Sequence, residues 1–538
     1  MHRRLLAFLS VIALLGSCDS LWRPLRGSNP VNCVVTVGIC AASEMCDPGL
    51  ERCVARPDPV VDMGMSGCPE TPCPSNQTCD VPSKSCKPLS DFDLVSVSPR
   101  SVPTTGTTMT VAISGAGFAA PMRVLFGTLD SPLVTVISDT QLTAAVPPSA
   151  QAGPVSVELD TAAGRKVVKN GLFGYGWATV ELVADPALDT SGQGPGALAV
   201  ADLDNDQRLD VAAAHTTNVS VFLGAKGLTP PMTAAGASTF GSSLGKMLVG
   251  KLDGDAFPDL VVMDVMQGEA VVLLSDGSGG FKSIKNQSFA ISFLDAVLAD
   301  VDGDQLLDLV ATRSGPDQIL VFAGKSDGSF DVTQKYAIGV GSQPCSLAAG
   351  LLDGDTRPDL ALVQCGGNDV RVFLATGPGT FGSPQNYTTQ MGTATPRKVI
   401  MAEVDGDRQM DVLVSNSDGS SNSHVTVLKG LGNGKFRMPL SNYASSPGMA
   451  NLSVADINGD TLLDVLLAPD TMAGFTGIGV MLSDGRGGLN PAQIFAGPSS
   501  HQMGFRSMAI GDLTGDGKVD IVYTANAANV AFLRNNSR

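Results

Sequence analysis

The side chains most able to do chemistry in this chain are carboxylates spaced at alternate positions. In DVDGDQLLD, residues 300–308, aspartates stand at positions 1, 3, 5 and 9 of a nine-residue window. Six further windows follow the same rule: DLDNDQRLD from 202, KLDGDAFPD from 251, LLDGDTRPD from 351, EVDGDRQMD from 403, DINGDTLLD from 456 and DLTGDGKVD from 512. Because Ca²⁺ takes about six to eight oxygen ligands, a tight loop with alternate carboxylates suits it. The sequence therefore predicts calcium loops, numbered 1 to 7 in chain order.

The candidate ligands divide these loops into three groups. Loops 1, 3 and 5 carry acids at all four positions: Asp202, Asp204, Asp206, Asp210, Asp300, Asp302, Asp304, Asp308, Glu403, Asp405, Asp407 and Asp411. Loops 6 and 7 have Asn or Thr, still an oxygen donor, at position 3: Asp456, Asn458, Asp460, Asp464, Asp512, Thr514, Asp516 and Asp520. Loops 2 and 4 lack the acid at position 1 and keep Asp253, Asp255, Asp259, Asp353, Asp355 and Asp359.

Position 1 of these two loops is Lys251 or Leu351, so each loses a ligand. We therefore expect about five calcium sites, and up to seven if loops 2 and 4 also bind. In loop 2 the Lys251 ammonium is expected near the remaining acids in place of a cation. The alternative is that the acids only cap tight turns.

The loop backbone also carries a signal. Position 4 is Gly or Asn in every loop, and these residues tolerate the left-handed backbone that turns oxygens inward. Position 6 is glycine only at Gly517, so these loops are not EF-hands, which require that glycine.

Composition excludes several functions. The formal net charge is −17, and the seven windows contain 24 of the 52 acidic residues, so nucleic acid is not an expected partner. The four histidines lie in no spacing typical of zinc ligands or of a catalytic base. We find no nucleophile motif and expect no enzymatic activity; a propeller enzyme, such as a lyase or hydrolase, is the less favoured alternative.

The windows recur at intervals of 49 to 56 residues, each between short apolar strands and followed by a glycine turn. A β repeat of about 50 residues with four strands is typical of a propeller blade. The seventh repeat ends at Arg538 after its third strand, so we predict that WATVELV, residues 177–183, supplies the fourth. Closing a blade with both chain ends removes open sheet edges. The sequence thus predicts an all-β fold with a seven-bladed propeller over 177–538.

With these loops and repeats, the region resembles the FG-GAP/VCBS repeat family, the seven-bladed propeller of integrin α chains and many bacterial surface proteins. The resemblance implies Ca²⁺ bound by positions 1, 3, 5 and 9 of each loop and by the main-chain carbonyl of position 7. It also implies ligand contact on the face opposite the acidic loops, where residues 416–424, 469–477 and 498–507 are expected.

Residues 91–176 read as short alternating strands separated by Gly and Pro turns, which predicts a small β-sandwich. The segment resembles the IPT/TIG immunoglobulin-like domain at Ser98-Pro99, Gly106, Gly115-x-Gly117-Phe118, Phe126-Gly127, Pro147, Gly153 and Phe173. In bacterial surface proteins such domains mostly act as spacers, so a spacer is expected here and a direct ligand-binding role is the alternative.

The first 32 residues are typical of an exported lipoprotein. Arg3 and Arg4 precede an apolar run of signal-peptide length, and Leu15-Gly16-Ser17-Cys18 resembles a bacterial lipobox. We expect a signal peptide over 1–17 and a lipidated Cys18 that anchors a linker over 18–32 to a membrane. The alternative is an ordinary signal peptide. The outer membrane or the cell surface is the expected location.

Ten cysteines remain. Residues 33–90 hold two tandem four-cysteine modules, each expected to form two disulfides as a stalk, with three pairings open in each. Cys345 and Cys365 are equidistant from the middle of loop 4, so a hairpin centred there places them opposite each other. We predict a disulfide between them.

Together these features predict a calcium-stabilised, surface-anchored lipoprotein that acts as a binding or adhesion module. Its partners would be the membrane, through Cys18, and an extracellular protein or glycan. Two tryptophans and five tyrosines offer few stacking platforms for sugars. The alternative is a structural envelope or matrix protein without a specific ligand.

Overall fold

The computed structural model describes the backbone of six short strands before residue 89 and the following residues: 92–104, 109–162, 164–177, 179–190, 195–224, 228, 232–234, 244–289, 291–313, 316–337, 343–389, 394–418, 423–438, 441–445, 448–469, 477–485, 487–497, 507–524 and 529–538. The chain divides into two units, Met1–Val61 and Asp62–Arg538. The predicted signal peptide, Cys18 and the side chains of the two four-cysteine modules lie outside the described residues.

Short antiparallel hairpins form the described backbone of the cysteine-rich region. In the first unit, Val34–Val35 pairs with Gly38–Ile39, and Glu44–Asp47 pairs with Arg52–Ala55. In the second unit, Gln77–Asp80 pairs with Ser85–Pro88. The disulfide pairing within the two modules and their role as a stalk stay predictions.

The next domain is a β-sandwich of two sheets. One sheet has the strand order Leu129–Asp130, Met122–Phe126, Gly153–Thr161, Lys166–Gly176, Ser101–Pro103. The other has the order Val134–Val136, Gln141–Val146, Met109–Ala116, Asp93–Ser98. Alternate side chains of both sheets, such as Val111 and Val124, are fully buried between them. This alternation is the reason that the period-2 pattern in the sequence folds as a sandwich.

The described part of the remaining chain forms seven four-stranded antiparallel sheets, called blades 1 to 7. Blades 1 to 3 contain Ala197–Ala201, Asp210–Ala214, Val219–Phe222, Met232–Ala234; Leu244–Gly250, Asp259–Asp264, Glu269–Ser275, Phe281–Ser288; and Asp295–Ala299, Asp308–Arg313, Gln318–Gly324, Phe330–Ala337. Blade 4 contains Pro344–Gly350, Asp359–Gln364, Asp369–Phe373 and Gln385–Thr388, with a small hairpin of Ala375–Gly377 and Thr380–Phe381.

Blades 5 and 6 contain Thr395–Ala402, Asp411–Ser417, Ser423–Leu428, Ser441–Ala444; and Met449–Ala455, Asp464–Pro469, Gly477–Met481, Gln493–Ala496. Blade 7 contains Met508–Gly511, Asp520–Thr524, Asn529–Asn535 and Leu182–Asp189. In each blade the first strand precedes the acidic loop, and the second strand begins at position 9 of that loop.

Apolar packing between neighbouring blades closes the sheets into a ring. The second strands are buried on both faces because a neighbouring blade covers each side. Each pair of adjacent blades shares an apolar cluster. The cluster between blades 7 and 1 contains Val522 and Val211, so the last blade packs against the first.

The strand that completes blade 7 differs from the prediction in its bounds. The predicted strand was 177–183, whereas the observed strand is Leu182–Asp189, paired antiparallel with Asn529–Asn535. Trp177 is instead held by a hydrogen bond from its backbone N–H to the Asn458 carbonyl, at 2.6 Å. The role assigned to this segment is right, because the strand before the first blade does close the last one.

Two further observations complete the fold. Cys345 and Cys365 form a disulfide, as predicted, with their Cα atoms 5.7 Å apart. The ladder shifts register between Pro344 and Ser346, so Cys345 is the extra residue of a bulge and does not lie directly opposite Cys365. Within the described residues, no helix is long and apolar enough to cross a membrane.

Candidate metal centre

The aspartate at position 9 holds each acidic loop to its own blade. All seven of these side chains are fully buried: Asp210, Asp259, Asp308, Asp359, Asp411, Asp464 and Asp520. In loop 3, Asp308 accepts hydrogen bonds from the backbone N–H of Val301 at 2.9 Å and of Gly324 at 2.9 Å. The same pair of bonds, from position 2 of the loop and from the end of the third strand, recurs in all seven blades. We call this aspartate the latch.

The aspartate at position 5 shapes the loop itself. In every loop one of its carboxylate oxygens accepts a hydrogen bond from the backbone N–H of position 7, as Asp304 does from Leu306 at 2.8 Å. Position 4 has a positive φ in every loop, from 59° at Asn205 to 85° at Gly303. This left-handed residue turns the chain, as the Gly/Asn pattern predicted.

The acid at position 1 separates the loops into two conformations. In loop 3, the Asp300 carboxylate accepts hydrogen bonds from the N–H of Gly303 at 2.7 Å and of Gln305 at 2.9 Å. Position 6 then adopts a positive φ, which is seen in loops 1, 3, 5, 6 and 7 at Gln207, Gln305, Arg408, Thr461 and Gly517. Loops 2 and 4, which lack the acid, do not show it at Ala256 or Thr356. A non-glycine residue held left-handed costs free energy, and the position 1 carboxylate supplies the compensating bonds.

Carboxylate oxygens converge in four of the described loops. Ligand atoms lie within 4.8 Å of one another in the groups Asp202, Asp204, Asp206; Asp253, Asp255, Asp259; Asp300, Asp302, Asp304; and Glu403, Asp405, Asp411. The acids of loop 4 do not form such a group among the described residues. Loops 6 and 7 offer an amide or hydroxyl oxygen at position 3, so two acids and a neutral donor replace the three acids there.

The carboxylates of these loops are partly buried and lie close to one another, so a nearby positive charge would stabilise their ionised form. One oxygen of Asp204, Oδ1, is buried with no hydrogen-bond partner in the described part of the chain. Burial raises the pKa of Asp308 to about 6, and burial together with Asp405 raises the pKa of Asp411 to about 8. Because a bound divalent cation reverses this repulsion, the residues of loops 1, 3 and 5 fit Ca²⁺. When bound, the ion would supply the positive charge that the grouped oxygens of loops 1 and 3 lack among the described residues. In loop 5 it would add to the charge of Lys429, whose ammonium lies 3.5 Å from Asp405.

In loop 2 a side chain supplies that charge. Lys282, on the fourth strand of blade 2, places its ammonium 2.7 Å from Asp253 and 2.5 Å from Asp255. Hydrogen bonds to Asp253 and Asp255 raise the pKa of Lys282. The expectation that Lys251 would neutralise this loop is therefore corrected, since Lys282 takes that place. In loop 4, Arg357 forms the corresponding ion pair with Asp355, at 2.7 Å.

The sandwich domain rests on loops 5 and 6. Arg100 donates from Nη2 to the Gly171 carbonyl of its own domain at 2.7 Å and from Nη1 to the Gly406 carbonyl of loop 5. At loop 6 the backbone of Gly174 lies so close that a Cβ there would be 2.7 Å from the Asp460 carbonyl oxygen. The missing side chain of this glycine permits the two domains to touch. The guanidinium of Arg100 thus places a positive charge against loop 5. Among the described residues, loop 5 is the one loop with acids at all four positions that a cationic side chain of the sandwich domain contacts.

Sequence reasoning placed the acids correctly in their loops but missed Lys282 and Arg100. Lys282 lies outside the nine-residue window, 23 residues after the latch Asp259, and Arg100 lies in another domain. A signal for Lys282 exists in retrospect, because this lysine lies near the start of the fourth strand of blade 2, whose acidic loop lacks its first acid. Nothing in the sequence near Arg100 points to loop 5.

The sequence profile of the FG-GAP-like repeat matches residues 251–311, 300–362, 352–414, 403–467 and 456–523, which together span just over half of the chain. The chain belongs to the FG-GAP-like repeat family. The IPT/TIG domain profile matches residues 94–175, so the sandwich is an IPT/TIG domain. Both resemblances inferred from the motifs are confirmed. No curated protein matches this FG-GAP-like repeat chain in sequence.

Several solved structures are similar to the FG-GAP-like repeat chain, at low identity and with TM-scores below 0.5. An auxiliary nutrient binding protein from Bacteroides ovatus ATCC 8483 is 11% identical, with 83% of this chain and 98% of that chain covered and a TM-score of 0.38. A second, from Bacteroides thetaiotaomicron VPI-5482, is 10% identical with the same coverage and TM-score. The Dos1 propeller is 11% identical over 65% of this chain and 94% of that one, with a TM-score of 0.40. Similarity at this level carries no argument about ligands.

Proposed function

We propose that the chain is an exported bacterial lipoprotein, held at the outer membrane or cell surface through Cys18, that acts as a calcium-stabilised binding or adhesion module. The lipobox-like sequence and the cysteine-rich stalk support export and anchoring. The loops support calcium, because their oxygens converge without a compensating charge in loops 1 and 3. The metal has a structural role, because it stabilises the hairpins of the blades, and it takes part in no reaction.

The observation that carries the proposal is the position of the IPT/TIG domain against loops 5 and 6. The acidic face of the ring is therefore partly occupied within the chain itself. We assign ligand contact to the opposite face, made by the connections from second to third strands and from fourth strands to the next blade. An extracellular protein or a glycan is the class of partner. The central parts of the expected segments 416–424 and 469–477, and nearly all of 498–507, lie outside the described residues.

The test uses the mature chain, with Cys18→Ser to keep it free of lipid. We expect one ligand to be retained from a glycan array or from a panel of purified extracellular proteins, with Ca²⁺ present and not in excess EGTA. Hydrogen exchange of the complex should then show protection on the face opposite the acidic loops. Protection confined to the acidic loops would refute the assignment of the face. Absence of any ligand would favour the structural envelope role.

A further inference from the structure

The side chains five residues before each acidic loop form a layer inside the ring, and all are polar except Ala197 of blade 1. The residue before each loop pairs with the latch in every blade, as Ala299 does with Asp308, so all seven inner strands share one register. Residues at the same distance from their loops therefore lie at the same height around the ring. This layer, called the polar layer, consists of Ala197, Lys246, Asp295, Ser346, Lys398, Asn451 and Ser507. It lies toward the end of the ring away from the acidic loops.

Three different blades meet at Asp295 of blade 3. Lys246 of blade 2 donates to its Oδ1 at 2.7 Å, and Lys398 of blade 5 donates to its Oδ2 at 3.4 Å. Lys398 reaches past blade 4 to make this contact. Side chains from blades that are not neighbours meet only where the inner strands converge, so this carboxylate lies near the axis of the ring.

Part of the polar layer has a structural role. Asp295, Ser346 and Ser507 each accept a hydrogen bond from a backbone N–H of the next inner strand, at 3.0, 3.3 and 3.1 Å respectively. These bonds join blades 3 to 4, 4 to 5 and 7 to 1. These hydrogen bonds account for an acid or a hydroxyl at this position of the inner strand, but they do not account for the two lysines at the same position.

The two lysines leave an excess of positive charge. Two ammonium groups face one carboxylate, which gives the cluster a net charge of +1 in a chain of formal charge −17. The Asp295 side chain is 5% exposed, whereas those of Lys246 and Lys398 are 26% and 29% exposed. The remaining members of the layer, on blades 4, 6, 7 and 1, are neutral, so the layer itself contains no second acid.

The ammonium groups also have hydrogen-bonding capacity to spare. Each ammonium has three N–H donors. Lys246 uses one on Asp295 and one on the Ala296 carbonyl at 2.7 Å, and Lys398 uses one on Asp295. The other three N–H groups have no acceptor among the described residues. Burial lowers the pKa of Lys246, and a nearby anion would offset that cost.

We propose that the polar layer is a binding site for the anionic oxygen group of a small ligand, a carboxylate or a sulfate-like oxyanion, held by Lys246 and Lys398. Charge-assisted hydrogen bonds of this kind are among the strong ones, and a lysine binds such groups as a point charge. The site lies toward the face assigned above to ligand contact, but it rests on its own contacts and is tested without that ligand.

The experiment titrates sodium sulfate and sodium acetate into the calcium-saturated mature chain at constant ionic strength in chloride. We expect saturable binding by calorimetry of at least one anion, with a rise in the melting temperature. Sulfate alone would indicate a tetrahedral oxyanion, and acetate alone a carboxylate. Absence of saturable binding for both anions would overturn the proposal.

Two variants separate binding from a general salt effect. Lys398→Met keeps the Lys246–Asp295 pair and should weaken the anion about tenfold or more. Lys285→Met, a lysine on the outer strand of blade 2 that pairs with Asp327, should bind as the unmodified chain does. Equal anion affinities in all three proteins would refute the site, since sulfate also stabilises proteins by exclusion from their surface.

A third variant remains informative if Lys398→Met does not fold. Asp295→Asn removes the competing carboxylate and leaves two ammonium groups to one anion, so its affinity should rise severalfold. A purely structural role of Asp295 predicts a loss of stability that neither anion restores. That result, with no gain in affinity, would contradict the proposal.

Discussion

Loops 2 and 3 belong to adjacent blades, and each has a latch aspartate with the same two backbone hydrogen bonds. The two loops differ in whether a cationic side chain neutralises the charge of their other acids. In loop 3, Asp300 folds the loop through two backbone hydrogen bonds. The grouped oxygens of Asp300, Asp302 and Asp304 pair with no cationic side chain in the described part of the chain. In loop 2 position 1 is Lys251, and Lys282 from the outer strand pairs with Asp253 and Asp255. The same nine-residue spacing of acids thus occurs in a loop whose acids pair with a lysine and in a loop whose acids do not.

The comparison of loops 2 and 3 separates the hydrogen bonds that hold a loop to its blade from the acids that a metal would bind. The latch is identical in both loops, because every blade must hold its first connection against its third strand. Under the proposed function, an ion from solution would neutralise the acids of loop 3 as the Lys282 ammonium does in loop 2. The stability of the ring would then depend on calcium through the loops that have no such ammonium.

The largest expected effect is the loss of stability when a chelator removes Ca²⁺ from the five loops that, like loop 3, have an acid at position 1. With dissociation constants of about 10⁻⁴ M, typical of the tighter extracellular modules, each site contributes about 1.4 kcal/mol at about 1 mM Ca²⁺. Five sites then contribute roughly 7 kcal/mol, measured as the difference between denaturant unfolding in Ca²⁺ and in EGTA. Hydrogen exchange should increase in loops 1 and 3 and not in loops 2 and 4. An unchanged unfolding curve would contradict calcium binding.

The latch should matter equally in both loops. Asp308→Ala and Asp259→Ala each leave two buried backbone N–H groups without an acceptor, which costs about 3 kcal/mol or more. Denaturant unfolding in EGTA measures both variants without a metal contribution. Asp308→Asn and Asp259→Asn, which keep one acceptor oxygen, serve as controls of smaller effect. A large cost in loop 3 beside a negligible one in loop 2 would contradict a structural role of the latch that is common to both loops.

Removing a position 3 acid should distinguish the two loops. Asp302→Ala, which removes the oxygen donor, should abolish one calcium site and lower the free energy of unfolding by about 1.4 kcal/mol at about 1 mM Ca²⁺. Asp253→Ala should leave the number of bound calcium ions unchanged, because Lys282 already balances loop 2. Calorimetric titration of Ca²⁺ gives the stoichiometry of each variant. Loss of one ion in both variants would mean that loop 2 also binds calcium.

The smallest effect is expected from converting loop 2 into a metal site. The double variant Lys251→Asp, Lys282→Met restores the position 1 acid and removes the internal ammonium, so the chain should bind one additional Ca²⁺. Lys251→Asp with Lys285→Met, which retains Lys282, is the matched control and should not gain an ion. Equal stoichiometries in the two double variants would argue against the role of Lys282.

The sequence by itself determined the repeat and its chemistry. The spacing of the acids, the position 4 Gly or Asn and the apolar strands on either side are local, so they predicted blades, turns and loop membership without long-range information. The closing role of the strand before blade 1 also followed, because the last repeat lacks a fourth strand. The Cys345–Cys365 disulfide followed from the position of both cysteines on the two strands that flank loop 4, although a bulge shifts Cys345 from the expected register. The bounds of the closing strand did not, since Trp177 is drawn to loop 6 by a contact outside the repeat.

The tertiary structure alone decided where positive charge meets the acids. Lys282 approaches loop 2 from the outer strand, Arg100 approaches loop 5 from another domain, and Lys246 and Lys398 reach Asp295 from two different blades. Ion pairs join side chains that are distant in sequence, and no local pattern records which surfaces the ring brings together. A repeat specifies its own hairpin, but the neighbours of that hairpin are set only when all seven blades close.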